Sequence, residues 1–206
     1  MSHLRPDLRQ RADELVTLYP RRRSAMLPLL HLVQEQDGYV TTEGIAEVAE
    51  LTGTTPAEVR GTASFYDMFH LEPVGRYVVG VCTNIACMLA GGLEMLEHAS
   101  DVLGCAVGST SEDGLFTLEE TECLADCNIA PCVQVNHRFV RTTTPEALDA
   151  LVAELRAGGR SEEIPPHGTL IRVRRSGGLR AGKDEIALER AAEAEARAAR
   201  TPAEAS

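Results

Sequence analysis

Six cysteines stand in the 206-residue chain, and four of them form two tight pairs: Cys82 and Cys87 spaced C-x4-C, then Cys123 and Cys127 spaced C-x3-C. Thirty-five residues separate the pairs, so any chemistry that uses all four requires two distant loops to meet. Each pair follows a β-type run: Tyr77-Val78-Val79-Gly80-Val81 precedes Cys82, and Leu115–Leu118 lies ahead of Cys123. Strands ending at such loops fix the distances between the sulfurs, while the loops fold the sulfurs around one centre.

Thiolates in sets of four hold two-iron clusters. A C-x4-C loop is wider than the C-x2-C knuckle usual for zinc. The extra residues let backbone N–H groups turn towards sulfur and tune a cluster by hydrogen bonding. Cys87 is expected just before a helix beginning near Met88, whose dipole favours thiolate. The spacing favours a [2Fe–2S] cluster on Cys82, Cys87, Cys123 and Cys127, with structural zinc and a redox dithiol as alternatives. A thioredoxin-type C-x-x-C is absent. Cys127 and Cys132 are also spaced C-x4-C, so Cys82, Cys87, Cys127 and Cys132 form a second possible quartet. Pro131 before Cys132 and the apolar Val133–Val135 after it favour a packed, small hydrophobe there. Cys105 is read as core filling.

Charge and composition exclude several partners. The net charge is −11, with 31 acidic residues against 20 basic, and aromatic residues make up 4% with no Trp. Neither duplex DNA, single-stranded nucleic acid nor an anionic membrane suits such a surface. The longest apolar stretch, Ala25–Val33, is broken by Pro28 and His31 and is far short of the roughly 20 residues a membrane helix needs. The charged N-terminus carries no signal core, which places the chain in the cytoplasm without membrane insertion. Six cysteines in a reducing compartment point to metal or redox chemistry.

Residues 1–73 read as a helical bundle. The helices cover Leu8–Leu18, a segment capped by Ser24 with Leu27, Leu30 and Val33, a segment capped by Thr42 and ended by Gly53, and one opened by the Thr55-Pro56-Ala57-Glu58 capping box. The last runs towards Phe69, with Phe65 and Phe69 on one face. Residues 74–159 read as an α/β domain. Its expected parts are the strand before Cys82, a helix over Met88–Leu103 with Leu89, Leu93, Leu96 and Leu103 on one side, and strand pieces at Cys105–Val107 and Leu115–Leu118. A hairpin about Asn136-His137 and a helix opened by Thr144-Pro145 complete it. Residues 160–206 read as a linker and an Ala/Glu/Arg-rich tail, disordered or ordered only on a partner.

Four segments in order, LPLLHLVQEQDGYV (Leu27–Val40), ASFYDMF (Ala63–Phe69), GVCTNIACMLAGG (residues 80–92) and ECLADCNIAPCVQVN (residues 122–136), resemble the two-iron ferredoxin subunit of bacterial NADH–quinone oxidoreductase, respiratory complex I. The resemblance covers about residues 10–157. It implies an α/β (α+β) chain in which a small helical bundle precedes a thioredoxin-like [2Fe–2S] ferredoxin domain, with Cys82, Cys87, Cys123 and Cys127 as ligands. It further implies a one-electron carrier that is not catalytically competent alone, peripheral to the inner face of the membrane. Its neighbours are a flavin subunit holding FMN and NADH and a large iron–sulfur subunit. With no G-x-G-x-x-G loop in this chain, NADH binding belongs to that flavin subunit. Position 132 departs from the family, where an apolar residue is usual. Equivalent subunits serve NAD-reducing hydrogenases and formate dehydrogenases, and a zinc-stabilised interaction module is the reading from a different class.

Overall fold

The structure, a computed structural model, describes residues 2–169. They fall into two compact units, one ending at Leu71 and the other spanning Glu72–Thr169. The tail expectation for residues beyond 169 lies outside the described residues.

The first unit is all-helical: α1 (Pro6–Val16), a short 3-10 turn at Arg22–Ala25, α2 (Met26–Asp37), α3 (Thr42–Thr52) and α4 (Pro56–Phe65). Leu29, Leu30, Leu32 and Val33 are fully buried with Ala12, Val48, Val59 and Ala63, each large side chain contributing about 1.5–3 kcal/mol of burial. Gly38 and Gly53 end their helices with φ of +80° and +68°, the left-handed geometry glycine takes without a Cβ clash. The capping box at Thr55 and Glu58 is formed in both directions.

Three details differ from the sequence reading. Ser24 does not cap α2, because the 3-10 turn carries the chain into the helix and leaves Ala25 at the cap position. Thr41, not Thr42, caps α3, its hydroxyl accepting the Gly44 N–H at 3.1 Å. The fourth helix stops at Phe65, since Tyr66 turns to an extended conformation. Phe65 is therefore 80% exposed while Phe69 is 6% exposed and packed beneath His31, so the two share no face.

Glu47 of α3 anchors the N-terminal segment. Its buried carboxylate accepts from the backbone N–H groups of His3 and Leu4, both at 2.7 Å, from the Ser2 hydroxyl, and from Arg9 at 2.9 Å. Burial alone raises this carboxyl's pKa, but the Ser2, Leu4, Arg9 and His3 hydrogen bonds outweigh it and hold the pKa below the ordinary 4.5. A depressed folded pKa means the stabilisation is present above about pH 4.5 and is lost as pH falls through the folded value. Glu47→Ala is expected to cost about 2–3 kcal/mol at pH 7, from lost charge-assisted bonds and orphaned N–H donors. Denaturant melts should show the gap between wild type and variant shrinking below about pH 4. An equal gap at both pH values would contradict this.

The second unit holds a four-stranded sheet in the order β2-β1-β3-β4: β1 (Tyr77–Cys82), β2 (Phe116–Thr121), β3 (Val133–Val135) and β4 (Arg138–Val140). β1 pairs parallel with β2 and antiparallel with β3, and β3 forms the expected hairpin with β4 through left-handed Asn136 and His137. Between β1 and β2 lie α5 (Ile85–Leu89) and α6 (Gly92–Leu103), and α7 (Pro145–Arg156) follows β4. One sheet face presents Tyr77, Val79, Val81, Phe116, Leu118, Val133 and Val135 to α6 and α7 in a single apolar core. α7 opens at Thr144, whose side chain accepts the Ala147 N–H.

Two further expectations are corrected here. Met88–Leu103 is not one helix: α5 ends at Leu89, and Gly91, at φ +93°, turns the chain before α6. Leu89 and Leu93 are accordingly exposed, at 80% and 50%, while Leu96 and Leu103 reach the core. Cys105–Val107 is a turn, and the nearest extended pairing is a bridge between Thr110 and Thr117. Cys105 is buried, and that burial raises its thiol pKa, as suits a core residue.

Candidate metal centre

The parallel register of β1 and β2 sets Cys82 directly opposite Thr121, two residues before Cys123. Both cysteine loops therefore leave the same end of the sheet. After Cys82 the chain turns at Thr83, whose hydroxyl donates to Glu120 at 2.6 Å, and enters α5 at Asn84, whose side chain accepts the Ile85 N–H at 2.9 Å. Cys87 lies inside this short helix, so the expected position just before a helix is corrected. The N-terminus of α6 instead packs against the backbone of the Cys82–Cys87 loop. A Cβ on Gly92 would lie 2.8 Å from the carbonyl oxygens of both Cys82 and Cys87.

In the second loop Ala125, at φ +62°, bends the chain between Cys123 and Cys127. Left-handed backbone at a non-glycine residue is strained and persists where the surroundings demand it. Cys127 then begins a 3-10 turn running to Ile129. Cys82 and Cys87 are buried, Cys123 and Cys127 exposed. The centre is thus buried on one side and open on the other.

Electrostatics ties the four sulfurs together. The Cys127 thiol pKa is raised, first by the charge of Cys123 and its hydrogen bond, then by slight burial and by the charges of Cys87 and Cys82. A thiol whose ionisation its neighbours oppose is stabilised as a thiolate by positive charge placed beside it, which is what bound iron supplies. The Cys132 backbone N–H points at the Cys87 sulfur at 3.5 Å, the kind of contact that stabilises a ligating thiolate. Among the described residues no three His, Cys, Asp or Glu side chains gather as ligands of a single metal ion. A two-iron cluster makes the different demand of four thiolates spread over two irons, and this donor set fits it.

Cys132 packs with Cys82 and Cys87 in one small buried cluster. Its thiol donates to the Asp126 carbonyl at 2.9 Å, and burial, followed by the neighbouring Cys87, pushes its pKa up to about 12. A donating thiol is protonated, the opposite of the thiolate form that ligates a metal. Its carbonyl accepts the Cys82 N–H at 3.0 Å, so its backbone holds both buried cysteines in place. Cys132→Ser is expected to keep iron content and the visible spectrum close to those of wild type, because a hydroxyl can make the same bond to Asp126. Loss of iron in that variant would move the ligand assignment from Cys123 to Cys132.

Sequence reasoning missed Gly91, Gly92 and Ala125. The Gly-Gly dipeptide in an otherwise helical pattern was the available signal for the first two; a left-handed alanine leaves none.

A four-stranded sheet with helices packed on one face and two cysteine loops at one end makes this an α/β domain with a cysteine-rich end. The sequence profile described as "Thioredoxin-like [2Fe-2S] ferredoxin" matches residues 12–156, and the chain belongs to that family. It is 44% identical over 155 residues to NADH-quinone oxidoreductase subunit 2 of Thermus thermophilus, covering 74% of this chain and 86% of that one. It is 46% identical over 146 residues to an NADH-quinone oxidoreductase subunit of Mycobacterium tuberculosis, covering 71% of this chain and 58% of the relative. With an NADH-quinone oxidoreductase subunit of Rhizobium meliloti it shares 37% over 157 residues, covering 76% and 94%. In fold it is similar to an NAD+-reducing [NiFe]-hydrogenase solved in the H2-reduced state, with a TM-score of 0.58 at 24% identity over 68% of this chain and 24% of that one. That likeness concerns the fold alone. The relatives are oxidoreductase subunits, and the family's cofactor is a [2Fe–2S] cluster.

Proposed function

We propose that this chain is the [2Fe–2S] electron-transfer subunit of an NADH–quinone oxidoreductase, with Cys82, Cys87, Cys123 and Cys127 as the cluster's ligands. The observation that carries the reading is the meeting of two cysteine loops at one sheet end, inside a chain whose relatives at 37–46% identity are subunits of that enzyme. When bound, a cluster of this type takes up and returns one electron. The chain's own residues supply the rest. Cys82 and Cys87 hold the buried side in low dielectric, and the Cys132 N–H adds a dipole. Residues 74–159 form the cluster domain and 1–73 a helical module beside it in sequence.

The open side of the centre suits exchange with a partner. Around it Ile85, Met88 and Leu89 of α5 and Leu93 of α6 are exposed, an apolar margin that a neighbouring subunit can cover. The relatives are named as subunits of a multi-subunit NADH-quinone oxidoreductase, and in this reading the partner is the NADH- and flavin-holding subunit, with the large iron–sulfur subunit next to it. Among the described residues no helix is long and apolar enough to cross a membrane, so attachment to the membrane's inner face goes through the complex. The chain carries no dinucleotide loop of its own.

The test is purification of the tagged chain from its own cells in mild detergent. NADH-dependent quinone reduction, together with bound FMN in the eluate, supports the assignment. Hydrogen- or formate-dependent NAD reduction in the same eluate would place the chain in one of the other complexes instead.

A further inference from the structure

At the ligand end of the sheet three residues stand in one cross-strand row. Thr121 on β2 faces Cys82 on β1 in the parallel register, and Cys132, immediately before β3, bonds to Cys82 from the other side. Side chains directly opposite each other in a sheet share a face and lie within contact range. The next row confirms which face this is. A Cβ at Gly80, two residues before Cys82, would touch the Thr121 methyl at 2.8 Å. Thr121 therefore lies over the Gly80–Cys82 side, and its hydroxyl sits on the other branch of the same Cβ.

That hydroxyl oxygen is buried and has no hydrogen-bond partner. Buried polar groups are nearly always paired, and an exception calls for a reason. The other polar side chains of the row and its loop are committed: Cys132 to Asp126, Thr83 to Glu120, Asn84 to the Ile85 N–H. Of these, Thr121 has a donor to give, and the residue paired with it in the register is Cys82.

We propose that the Thr121 hydroxyl is a positioning residue for the redox centre, donating a hydrogen bond to the Cys82 sulfur when the cluster is bound and so raising its reduction potential. The inference rests on the ligand reading given above. Reduction adds one negative charge to the centre, so a donor at a ligand sulfur stabilises the reduced form more than the oxidised one. Thr121→Val keeps the shape and removes the donor; Thr121→Ser keeps the donor.

The experiment is an anaerobic redox titration of the reconstituted full chain, followed by electron paramagnetic resonance, with iron content measured on each sample. Thr121→Val is expected to load iron like wild type and to lower the reduced-to-oxidised ratio at fixed potential about tenfold, a fall of about 59 mV for a one-electron couple. Thr121→Ser is expected to titrate with wild type. In the iron-free state Thr121→Val should be no less stable than wild type, since it buries no orphan hydroxyl. A loaded Thr121→Val with an unchanged potential overturns the proposal. Should valine prevent loading, Thr121→Ala is read the same way, and an unchanged potential there rejects it equally. Retention of iron by Cys82→Ser would instead reject the ligand reading, which separates the two failures.

Discussion

Cys123→Ser is expected to yield a folded chain that holds no stable two-iron cluster. Cys123 is exposed, lies just beyond the end of β2, and belongs to neither apolar core. Its loss should change the stability of the iron-free protein by no more than about 0.5 kcal/mol, as for other surface substitutions. It nevertheless removes one of four thiolates, and serine's alkoxide is a far poorer partner for iron than a thiolate. Iron and acid-labile sulfide should fall to near zero while the far-ultraviolet circular dichroism stays that of wild type. The contrast between intact fold and lost cluster is the informative part, because Cys82 and Cys87 are buried and their substitution disturbs packing as well. Full iron content in Cys123→Ser would remove it from the ligand set.

Gly92→Ala is expected to damage the same centre from behind. The added methyl would lie 2.8 Å from the Cys82 and Cys87 carbonyl oxygens and 2.9 Å from the Cys87 carbonyl carbon. All three are backbone atoms of the residues that carry the buried sulfurs, so no side chain can swing aside. Either α6 withdraws from the loop or the loop moves. Overpacking of this kind costs about 1–3 kcal/mol, and here the displaced atoms fix the ligand positions. The expected result is a lowered melting temperature with poor cluster retention. Gly61, where a Cβ would meet nothing within 4 Å, provides the control, since alanine there should not reduce iron content. Wild-type retention and stability in Gly92→Ala would show that α6 does not brace the loop.

The features legible in the sequence were those whose cause is local. The Thr55–Glu58 box, the left-handed glycines 38 and 53, the Asn136-His137 turn and the Thr144 cap each rest on interactions within a few residues of chain. The strands before the two cysteine pairs were visible for the same reason. Where the sequence reading erred, tertiary packing decided. Periodicity alone joined Met88 to Leu103, but Gly91 and Gly92 break the helix so that α6 can approach the ligand loop. Phe65 and Phe69 are four apart, yet α4 ends between them and only Phe69 finds the core. The apolar stretch at Cys105–Val107 looks like a strand, although the sheet is completed by β2, β1, β3 and β4 without it.

For the centre itself, spacing singled out Cys82, Cys87, Cys123 and Cys127 as the candidates, whereas the roles of their neighbours depend on register and were invisible in one dimension. The Cys132 backbone bonds to Cys82 and Cys87, and the Thr121 hydroxyl opposite Cys82, exist only because β2, β1 and β3 are aligned as they are.

Anaerobic reconstitution of the full-length chain, with metal and acid-labile sulfide counted on the same sample and its reduced spectrum recorded by electron paramagnetic resonance, tests the central claim most directly. The account predicts a 2Fe–2S stoichiometry per chain, as in its family, and a spin-half signal that appears on one-electron reduction. A colourless protein holding a single zinc ion and no labile sulfide would contradict it.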